Sequence, residues 1–372
     1  MMNMKNLAVA AFALIVLVSC SEKKQTSLKD AYKDYFYIGA AIDRDQIAGK
    51  DSAATQLLVS QFNSIVPENV MKWERIHPQM DSFVFAPVDS FVELGLKNKM
   101  FIVGHCLCWH SQVPPYVFVD AKGKDVSKDT LLARLKSHIT TVVSRYKGKV
   151  NGYDVVNEAL NEDGTFRQSK WYQIAGEEYI EKAFQYAYEA DSSAELYYND
   201  YNIEQPAKRA GAIKLIKNLQ AKGIKVSGVG IQGHWHVNSP SMSVVDSAIV
   251  DFAKLGVKVM FTELDFTVIP NPWDNNNANI SDTFAFKKEM NPYADGLPDS
   301  VQQKLANRYA DFFTVAAKHK DVVSRVTFWG LHDGQSWLNN WPIFGRTNYP
   351  LPFDRKLQPK PAYYSILKVV SK

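Results

Sequence analysis

The fold is indicated first by residues 150–199, which contain the segments VNGYDVVN (150–157), EEYIEKAFQYAYEA (177–190) and AELYYN (194–199). The first and third segments are short and rich in apolar, β-branched or aromatic residues, as β-strands are. The middle segment repeats apolar residues at intervals of three and four, which is typical of a helix with one buried face. A strand, a helix and a second strand in this order predict a parallel β-α-β unit.

The same alternation continues along the chain in both directions. We predict further strands near 37–42, 62–67, 100–105, 224–231, 257–262 and 324–329, and further helices at 130–145, 207–222 and 300–318. Eight strands separated by helices predict a (β/α)₈ TIM barrel, a fold that takes about 250 residues or more. The alternative, an open doubly wound sheet, would need fewer strands and a Gly-rich turn after the first strand. The sequence there is GAAIDRDQ (39–46).

Length and composition agree with one large globular domain and exclude few functions. The chain has 372 residues, of which 46% are hydrophobic and 22% charged, as in ordinary soluble proteins. The formal net charge of +4 is too small and too evenly spread to predict nucleic acid as a partner. Aromatic residues make up 12%, with eight Trp, which is compatible both with a large core and with flat surfaces for sugars.

The N-terminal residues predict export rather than a part of the fold. Leu7–Val18 is an unbroken apolar run of 12 residues, too short for a membrane span but suited to a signal peptide. It ends in Leu17-Val18-Ser19-Cys20, which resembles a bacterial lipobox and implies acylation of Cys20. A plain secretory signal with an incidental Cys is the alternative. We predict a lipoprotein-type signal peptide over 1–19, a tether over 20–33 and the barrel over 34–372, in an exported outer-membrane lipoprotein on the periplasmic side or the cell surface.

Two further cysteines, Cys106 and Cys108, lie two residues apart on or just after a predicted strand. We interpret them as small buried hydrophobic residues, with a strained disulfide as the alternative in an oxidising compartment. Together with His105 and His110 they also suggest a zinc cluster. Their close spacing on one strand does not fit a tetrahedral site, which takes pairs separated by a loop. We therefore predict no metal.

Polar side chains gather at or just after the ends of the predicted strands, where TIM barrels place their chemistry. Glu158 ends the run DVVNE after the fourth strand, and Glu263 ends VMFTE after the seventh. These strands lie on opposite sides of a barrel mouth, and cleavage of a glycosidic bond needs two carboxyl groups that flank it. A single Glu at a strand end is usually a solvated or salt-bridged residue. The pair is what predicts glycoside hydrolysis.

Six motifs carry a resemblance to a known family. They are NSIVPENVMKWERIHP (63–78), GHCLCWHSQVP (104–114), DVVNEA (154–159), GVGIQGHW (228–235), FTELD (261–265) and FWGLHDGQSW (328–337). In this order they resemble the xylanases of glycoside hydrolase family 10, from about residue 34 to about residue 369. The resemblance implies a monomeric enzyme without metal or organic cofactor. It implies endo-acting hydrolysis of β-1,4 bonds in xylan and xylo-oligosaccharides, with retention of configuration.

The resemblance also implies roles for individual residues. Glu158 matches the general acid/base and Glu263 the nucleophile, while His234 and Asp265 match residues that orient and charge-balance the nucleophile. Asp265 lies two residues beyond Glu263, hence on the same side of an extended chain. The positions that match substrate-binding residues are Glu68, Asn69, Lys72, His105, Trp109, Asn157, Gln232, His234, Trp329 and Trp337. Lys72 as a surface charge and Trp337 as a core residue are the alternatives.

Two departures from the family pattern and two other functions stay open. His332 stands where a Thr is common, and the loop 270–296 is longer than usual. That loop either shapes the leaving-group side of the cleft or packs on its own side chains as a surface loop. The other functions are a non-hydrolytic lipoprotein that only binds xylan and a barrel hydrolase that acts on another β-glycan. The preferred decoration of xylan and the number of subsites do not follow from the sequence.

Overall fold

The computed structural model describes residues 26–272 and 283–371, so the predicted signal peptide and Cys20 lie outside the described residues. Among these residues nine strands form one sheet system. In chain order the strands are β1 (Tyr37–Ile42), β2 (Ser64–Pro67), β3 (Phe101–Trp109), β4 (Gly152–Asn157), β5 (Glu195–Asp200), β6 (Gly228–Ile231), β7 (His234–His236), β8 (Lys258–Thr267) and β9 (Val323–Phe328).

The sheet closes on itself. Strands β1 to β6 pair in order, β6 pairs with β8, β8 with β9, and β9 with β1, and every pairing is parallel. The eight-membered ring confirms the predicted (β/α)₈ TIM barrel. Strand β7 is a short addition beyond β6, which pairs with the last residues of β8 and sets His234 opposite Asp265. The sequence did not predict this separate strand.

Helices alternate with the strands and cover the outside of the barrel, as parallel connections require. Their apolar faces pack on the strands, and the largest hydrophobic cluster lies between these two layers. The helices are α1 (Leu28–Ala31), α2 (Arg44–Ile47), α3 (Ser52–Gln61), α4 (Trp73–Ile76), α5 (Ala86–Lys97), α6 (Lys128–Arg145), α7 (Lys170–Ala175), α8 (Glu178–Ala190), α9 (Pro206–Ala221), α10 (Met242–Ala253), α11 (Asp299–Lys318) and α12 (Pro361–Val370). Short 3₁₀ turns occur at Pro115–Val117, Lys288–Met290 and Trp337–Asn339.

Side chains fill the interior of the barrel. Val66, Val103 and Met260 form a second apolar cluster there, together with Tyr197. The guanidinium of Arg325 is 3% exposed and lies 5.3 Å from the centroid of the Tyr197 ring. Because this interior is packed, as in other TIM barrels, a ligand can reach the barrel only at its ends.

The folded domain begins earlier than the predicted boundary at residue 34. Ser27 caps α1 by accepting a hydrogen bond from the Asp30 backbone N–H. Leu28 and Tyr32 are fully buried, and the Tyr32 hydroxyl donates to the Ile366 carbonyl at 2.8 Å. The polar composition of 20–33 predicts a tether, but Leu28 and Tyr32 are part of the main hydrophobic core. No helix of the described residues combines the length and apolar character that crossing a membrane needs.

The cysteine pair on β3 contains two free thiols, both buried. This confirms the interpretation of Cys106 and Cys108 as small core residues and excludes the strained disulfide. The neighbouring His105 uses its Nδ1 in a 2.9 Å hydrogen bond with Asp154 Oδ2. In the described ranges no three His, Cys, Asp or Glu side chains are grouped as metal ligands would be.

Candidate active site

A cleft with a volume of about 880 Å³ lies at the C-terminal mouth of the barrel. It is lined by residues in the last part of β3, β4, β7 and β8, and by residues that follow β2, β4, β5, β6 and β9. The structure brings all the predicted catalytic and substrate-binding residues into this one cleft, namely Glu68, Asn69, Lys72, His105, Trp109, Asn157, Glu158, Gln232, His234, Glu263, Asp265, Trp329 and Trp337.

Glu158 follows directly after β4 and has a φ of 57°, a left-handed conformation that is uncommon for a residue with a side chain. Its carboxyl group is held by two uncharged donors. The Trp109 indole donates to Oε2 at 2.8 Å, and the Gln232 amide donates to Oε1 at 2.9 Å. These bonds fix the direction of the carboxyl group without placing a positive charge against it.

Glu263 lies within β8 and is 5% exposed. The imidazole of His234 lies between two carboxylates, with Nε2 3.1 Å from Glu263 Oε2 and Nδ1 3.0 Å from Asp265 Oδ2. The Trp337 indole donates to the same Asp265 oxygen at 2.8 Å. A chain of hydrogen bonds therefore runs from Trp337 through Asp265 and His234 to Glu263.

The charges in this chain follow from its partners. Burial by itself lowers the pKa of His234, but the carboxylates of Asp265 and Glu263 outweigh burial and raise that pKa to about 10. Burial raises the pKa of Glu263, but the hydrogen bonds from His234 and Asn199 help to bring it below the usual range. At neutral pH His234 is a cation and Glu263 is ionised, as a nucleophile must be.

Asn199 connects the two carboxyl groups. Its side-chain amide lies within donor distance of Glu263 Oε1 at 2.8 Å and of Asn157 Oδ1 at 2.9 Å. The Asn157 amide in turn lies 3.3 Å from Glu158 Oε1, and the Thr262 hydroxyl donates to the side-chain Oδ1 of Asn199 at 2.6 Å. The sequence placed Asn199 at a strand end, but gave no signal that it spans both catalytic positions.

A second polar group lines the cleft after β2. Lys72 is 7% exposed, its ammonium donates to Asn69 Oδ1 at 3.1 Å, and it lies 5.1 Å from the centroid of the Trp109 ring. This burial excludes the alternative that Lys72 is a surface charge. Burial raises the pKa of Glu68, and the neighbouring Lys72 ammonium opposes that shift. Several donors and acceptors are thus fixed where sugar hydroxyls could bind.

Aromatic side chains form one wall of the cleft. Trp337 stacks on Trp341 with ring centroids 4.6 Å apart and an interplanar angle of 19°, and both line the cleft. Trp329 lies between the imidazoles of His105 and His234, with centroid distances of 5.5 and 6.1 Å. Trp337 therefore lies at the cleft rather than only in the core, and its indole N–H is used to hold Asp265.

The two departures from the family pattern are His332, which is not among the cleft-lining residues, and the loop 270–296, of which Asn271 lines the cleft. His332 accepts a hydrogen bond at Nδ1 from the Gly334 backbone N–H. In the long loop 270–296, residues 273–282 lie outside the described residues, so the two interpretations of that loop stay open. In the described part of the loop, the Phe284 backbone N–H donates a hydrogen bond to the Pro342 carbonyl at 2.9 Å.

The site defines a class of enzyme. Two carboxyl groups line one cleft at the mouth of a TIM barrel, one oriented by neutral donors and one paired with a cationic imidazole. This is the arrangement of a glycoside hydrolase. Residues 27–369 match the model of glycosyl hydrolase family 10, and the chain belongs to this family.

Relatives and solved structures cover the whole domain. Endo-1,4-beta-xylanase A of Xylanibacter ruminicola is 42% identical over 367 residues, with 98% of this chain and all of that protein covered. A beta-1,4-xylanase of Dictyoglomus thermophilum is 43% identical over 344 residues, covering 92% of this chain and 90% of that one. The structure of an endoxylanase of the same family, retrieved from a sugarcane soil metagenome, is 45% identical with a TM-score of 0.90, covering 92% of this chain and all of that one.

Proposed function

We propose that this chain is an endo-1,4-β-xylanase that hydrolyses internal β-1,4 bonds of xylan with net retention of configuration. Membership of glycosyl hydrolase family 10 and the names of the relatives support this function. The observation that carries the assignment of roles is the unequal surroundings of Glu158 and Glu263, because only Glu263 is paired with a cationic imidazole.

In the first step, a carboxylate oxygen of Glu263 attacks the anomeric carbon of the bound xylosyl unit. The bond from that carbon to the glycosidic oxygen breaks, and Glu158 transfers its proton to the departing oxygen. The product is a glycosyl ester on Glu263 and a released xylan fragment. The His234 cation keeps Glu263 ionised and oriented before the attack, and the bond from Trp337 to Asp265 fixes His234 in turn.

In the second step, water attacks the same carbon from the side that the leaving group occupied. Glu158, now a carboxylate, accepts the proton of that water, and the ester bond to Glu263 breaks. Two inversions at one carbon return the β configuration. Asn157, which is held by Asn199, forms a hydrogen bond with the 2-hydroxyl of the sugar. Hydrogen bonds at this hydroxyl strengthen as positive charge develops on the ring.

The shape of the cleft supports attack within a polymer. Its lining extends from Glu68 and Lys72 after β2 to Tyr201 after β5 and His236 in β7. Glu158 and Glu263 are part of the same lining. An open cleft of this extent accepts sugar units on both sides of the bond that is cleaved.

The test is the release of reducing sugars from xylan and from carboxymethylcellulose, with the variant Glu263→Gln as the control. The proposal expects release from xylan only, and none by the variant. Release mainly from carboxymethylcellulose would make the chain a hydrolase of another β-glycan. Xylan binding without release by the wild type would make it a binding lipoprotein. The product pattern on glucuronoxylan and arabinoxylan then defines which decoration is accepted.

The proposal includes an exported, monomeric lipoprotein held at the outer membrane, on the periplasmic side or the cell surface, by a lipid on Cys20. The sequence Leu17-Val18-Ser19-Cys20 after an apolar run supports it. Ser27 already caps the first helix, and seven residues of extended chain reach roughly 25 Å, so the barrel would stay close to the membrane. Cys20→Ala should leave xylan hydrolysis unchanged and move the protein from the membrane pellet to the soluble fraction. Continued sedimentation with membranes would refute the anchor.

A further inference from the structure

The turn that carries Glu158 is strained and needs support. A non-Gly residue with a φ of 57° is conformationally unfavourable and persists only where its surroundings fix it. The Glu158 backbone N–H is fixed by the Asn199 carbonyl at 2.9 Å. Its carbonyl oxygen accepts a hydrogen bond from Arg167 Nε at 3.1 Å. Arg167 thus holds the carbonyl group of Glu158, and Asn199 holds its N–H group.

Arg167 contacts this turn at more than one point. Its backbone N–H donates to the Ala159 carbonyl at 2.8 Å, and its Nη2 lies 3.4 Å from the Leu160 carbonyl. The same Nη2 donates to the Tyr201 hydroxyl at 2.8 Å. The planar guanidinium fixes several acceptors in one geometry, and it therefore connects the backbone of Glu158 to Tyr201 after β5.

Tyr201 has supports of its own. The Lys208 ammonium lies 3.3 Å from the centroid of the Tyr201 ring, close enough for a cation–π contact. Lys208 is fully buried and pairs with Asp200 at 3.0 Å, while the Tyr201 backbone N–H donates to Asp200 Oδ1 at 2.9 Å. These contacts hold the Tyr201 ring without Arg167. The side-chain contacts through which Arg167 acts on the turn are therefore those to the Glu158 and Leu160 carbonyls, and the one to Glu158 is the shorter.

We infer that Arg167 is a positioning residue for the general acid, which rests on the proposed function. By holding the Glu158 carbonyl, Arg167 fixes the peptide from which the carboxyl group extends towards Trp109 and Gln232. Arg167 is not among the residues that line the cleft, so it acts through Glu158 rather than on the sugar. A misplacement of about 1 Å at a reacting group can cost on the order of 100-fold in rate.

The test compares two aryl β-xylobiosides in Arg167→Gln and Arg167→Lys. The phenyl glycoside has a poor leaving group and needs proton donation, whereas the 2,4-dinitrophenyl glycoside does not. For Arg167→Gln we expect kcat/KM to fall by about tenfold or more on the phenyl substrate and by less than about twofold on the dinitrophenyl substrate. Arg167→Lys keeps the charge but not the planar fork, so its selective loss should be smaller. Arg167→Lys also tests the inference if Arg167→Gln does not fold.

Two control variants separate this role from plain structural support. Arg134 also binds loop carbonyls, those of Tyr116, Val117 and Val119, and Arg134→Gln should change both substrates by the same factor. Tyr201→Phe removes only the hydroxyl that Arg167 binds, and should leave the ratio of the two substrates near that of the wild type.

An unchanged ratio in both Arg167 variants would overturn the inference. So would a Tyr201→Phe variant that reproduces the change of ratio, because Arg167 would then act through Tyr201. If the wild type cleaves neither glycoside, the proposed function itself fails. The two failures are therefore distinguishable.

Discussion

Glu158 and Glu263 line the same cleft and are almost equally buried, at 6% and 5% exposure, yet their neighbours differ. Glu158 is oriented by the uncharged Trp109 and Gln232. Glu263 is oriented by the His234 cation and by Asn199. Burial is thus common to both groups, and the partners decide their roles. A group that must give up and regain a proton has neutral partners, whereas the group that must stay ionised has a cation.

The same contrast occurs between histidines. His138 is fully buried, and it stacks on Trp73 with a centroid distance of 3.6 Å. Its Nδ1 lies 3.2 Å from that of His77. Burial lowers the pKa of both residues, and no carboxylate within hydrogen-bond distance opposes that effect. His234 is also largely buried, but two carboxylates raise its pKa to about 10. Burial alone therefore predicts the wrong charge for His234.

The largest effect is expected when the general acid is removed. Glu158→Gln should lower xylan hydrolysis by about 10²–10⁴-fold, because proton donation to the leaving oxygen is lost. A dinitrophenyl xylobioside needs little protonation, so its first step should persist while the second step lacks its base. Stopped-flow measurement should show a burst of dinitrophenol followed by slow turnover. An equal loss on xylan and on the activated substrate would contradict the role of Glu158.

The next largest effect is expected when the cation beside the nucleophile is removed. In His234→Asn, burial is no longer opposed by the imidazolium, so the pKa of Glu263 should rise. An opposite charge at this distance typically shifts a carboxyl pKa by about 1–3 units. The acidic limb of kcat/KM against pH should therefore move to higher pH by about one unit or more.

His236→Asn is the matched control for that experiment. His236 lies two residues further along β7 and lines the same cleft, but burial lowers its pKa. Its Nδ1 accepts a hydrogen bond from the Asn238 backbone N–H at 3.2 Å rather than contacting Glu263 or Asp265. The acidic limb should stay in place in this variant, whatever happens to the rate. A limb that moves equally in both variants would show that His234 does not set the ionisation of Glu263.

The smallest effect concerns stability at acid pH. His77 and His138 stay neutral in the fold, so the unfolded chain binds more protons below its ordinary His pKa of about 6.5. Their contribution is fully present above that pH and is lost as the pH falls below it. The free energy of unfolding should fall by up to about 1.4 kcal/mol per pH unit for each such group.

A variant isolates this effect from other titrating groups. In His138→Gln the acid-dependent slope, measured by urea unfolding between pH 7.5 and 5, should be shallower than in the wild type. His234 does not produce this slope, because its raised pKa makes its contribution complete below pH 6.5 and lost only towards pH 10. Identical slopes in the two proteins would refute the role of the buried pair.

The fold was predictable from the sequence because the strand and helix periods alternate clearly from 37 to 329. The errors lie at boundaries. Strand β3 was predicted to end at His105 but continues to Trp109, since His105, Cys108 and Trp109 pair with β4. The short β7 was missed because it exists only through its pairing with β8 beyond Gly233. Such pairings depend on closure of the barrel, which no local pattern encodes.

The membership of the site was also predictable, mainly through the resemblance to glycoside hydrolase family 10, and the position of polar residues at the ends of parallel strands agreed with it. The pairing of its side chains was not predictable. Trp109 and Trp337 were predicted as substrate-binding residues, and their indole N–H groups also hold Glu158 and Asp265. Asn199 ends the predicted strand 194–199, but the sequence did not indicate that its partner is Glu263. Which strand ends come within 3 Å is set by the stagger of the strands around the barrel.

The central claim is that Glu263 forms a covalent bond to the sugar while Glu158 does not. Incubation with dinitrophenyl 2-deoxy-2-fluoro-xylobioside slows the second step and traps that bond. Peptide mass spectrometry of the inactivated enzyme then locates the label. The account predicts one fluoro-xylobiosyl group per chain, on Glu263. An unlabelled enzyme, or a label on Glu158, would contradict it.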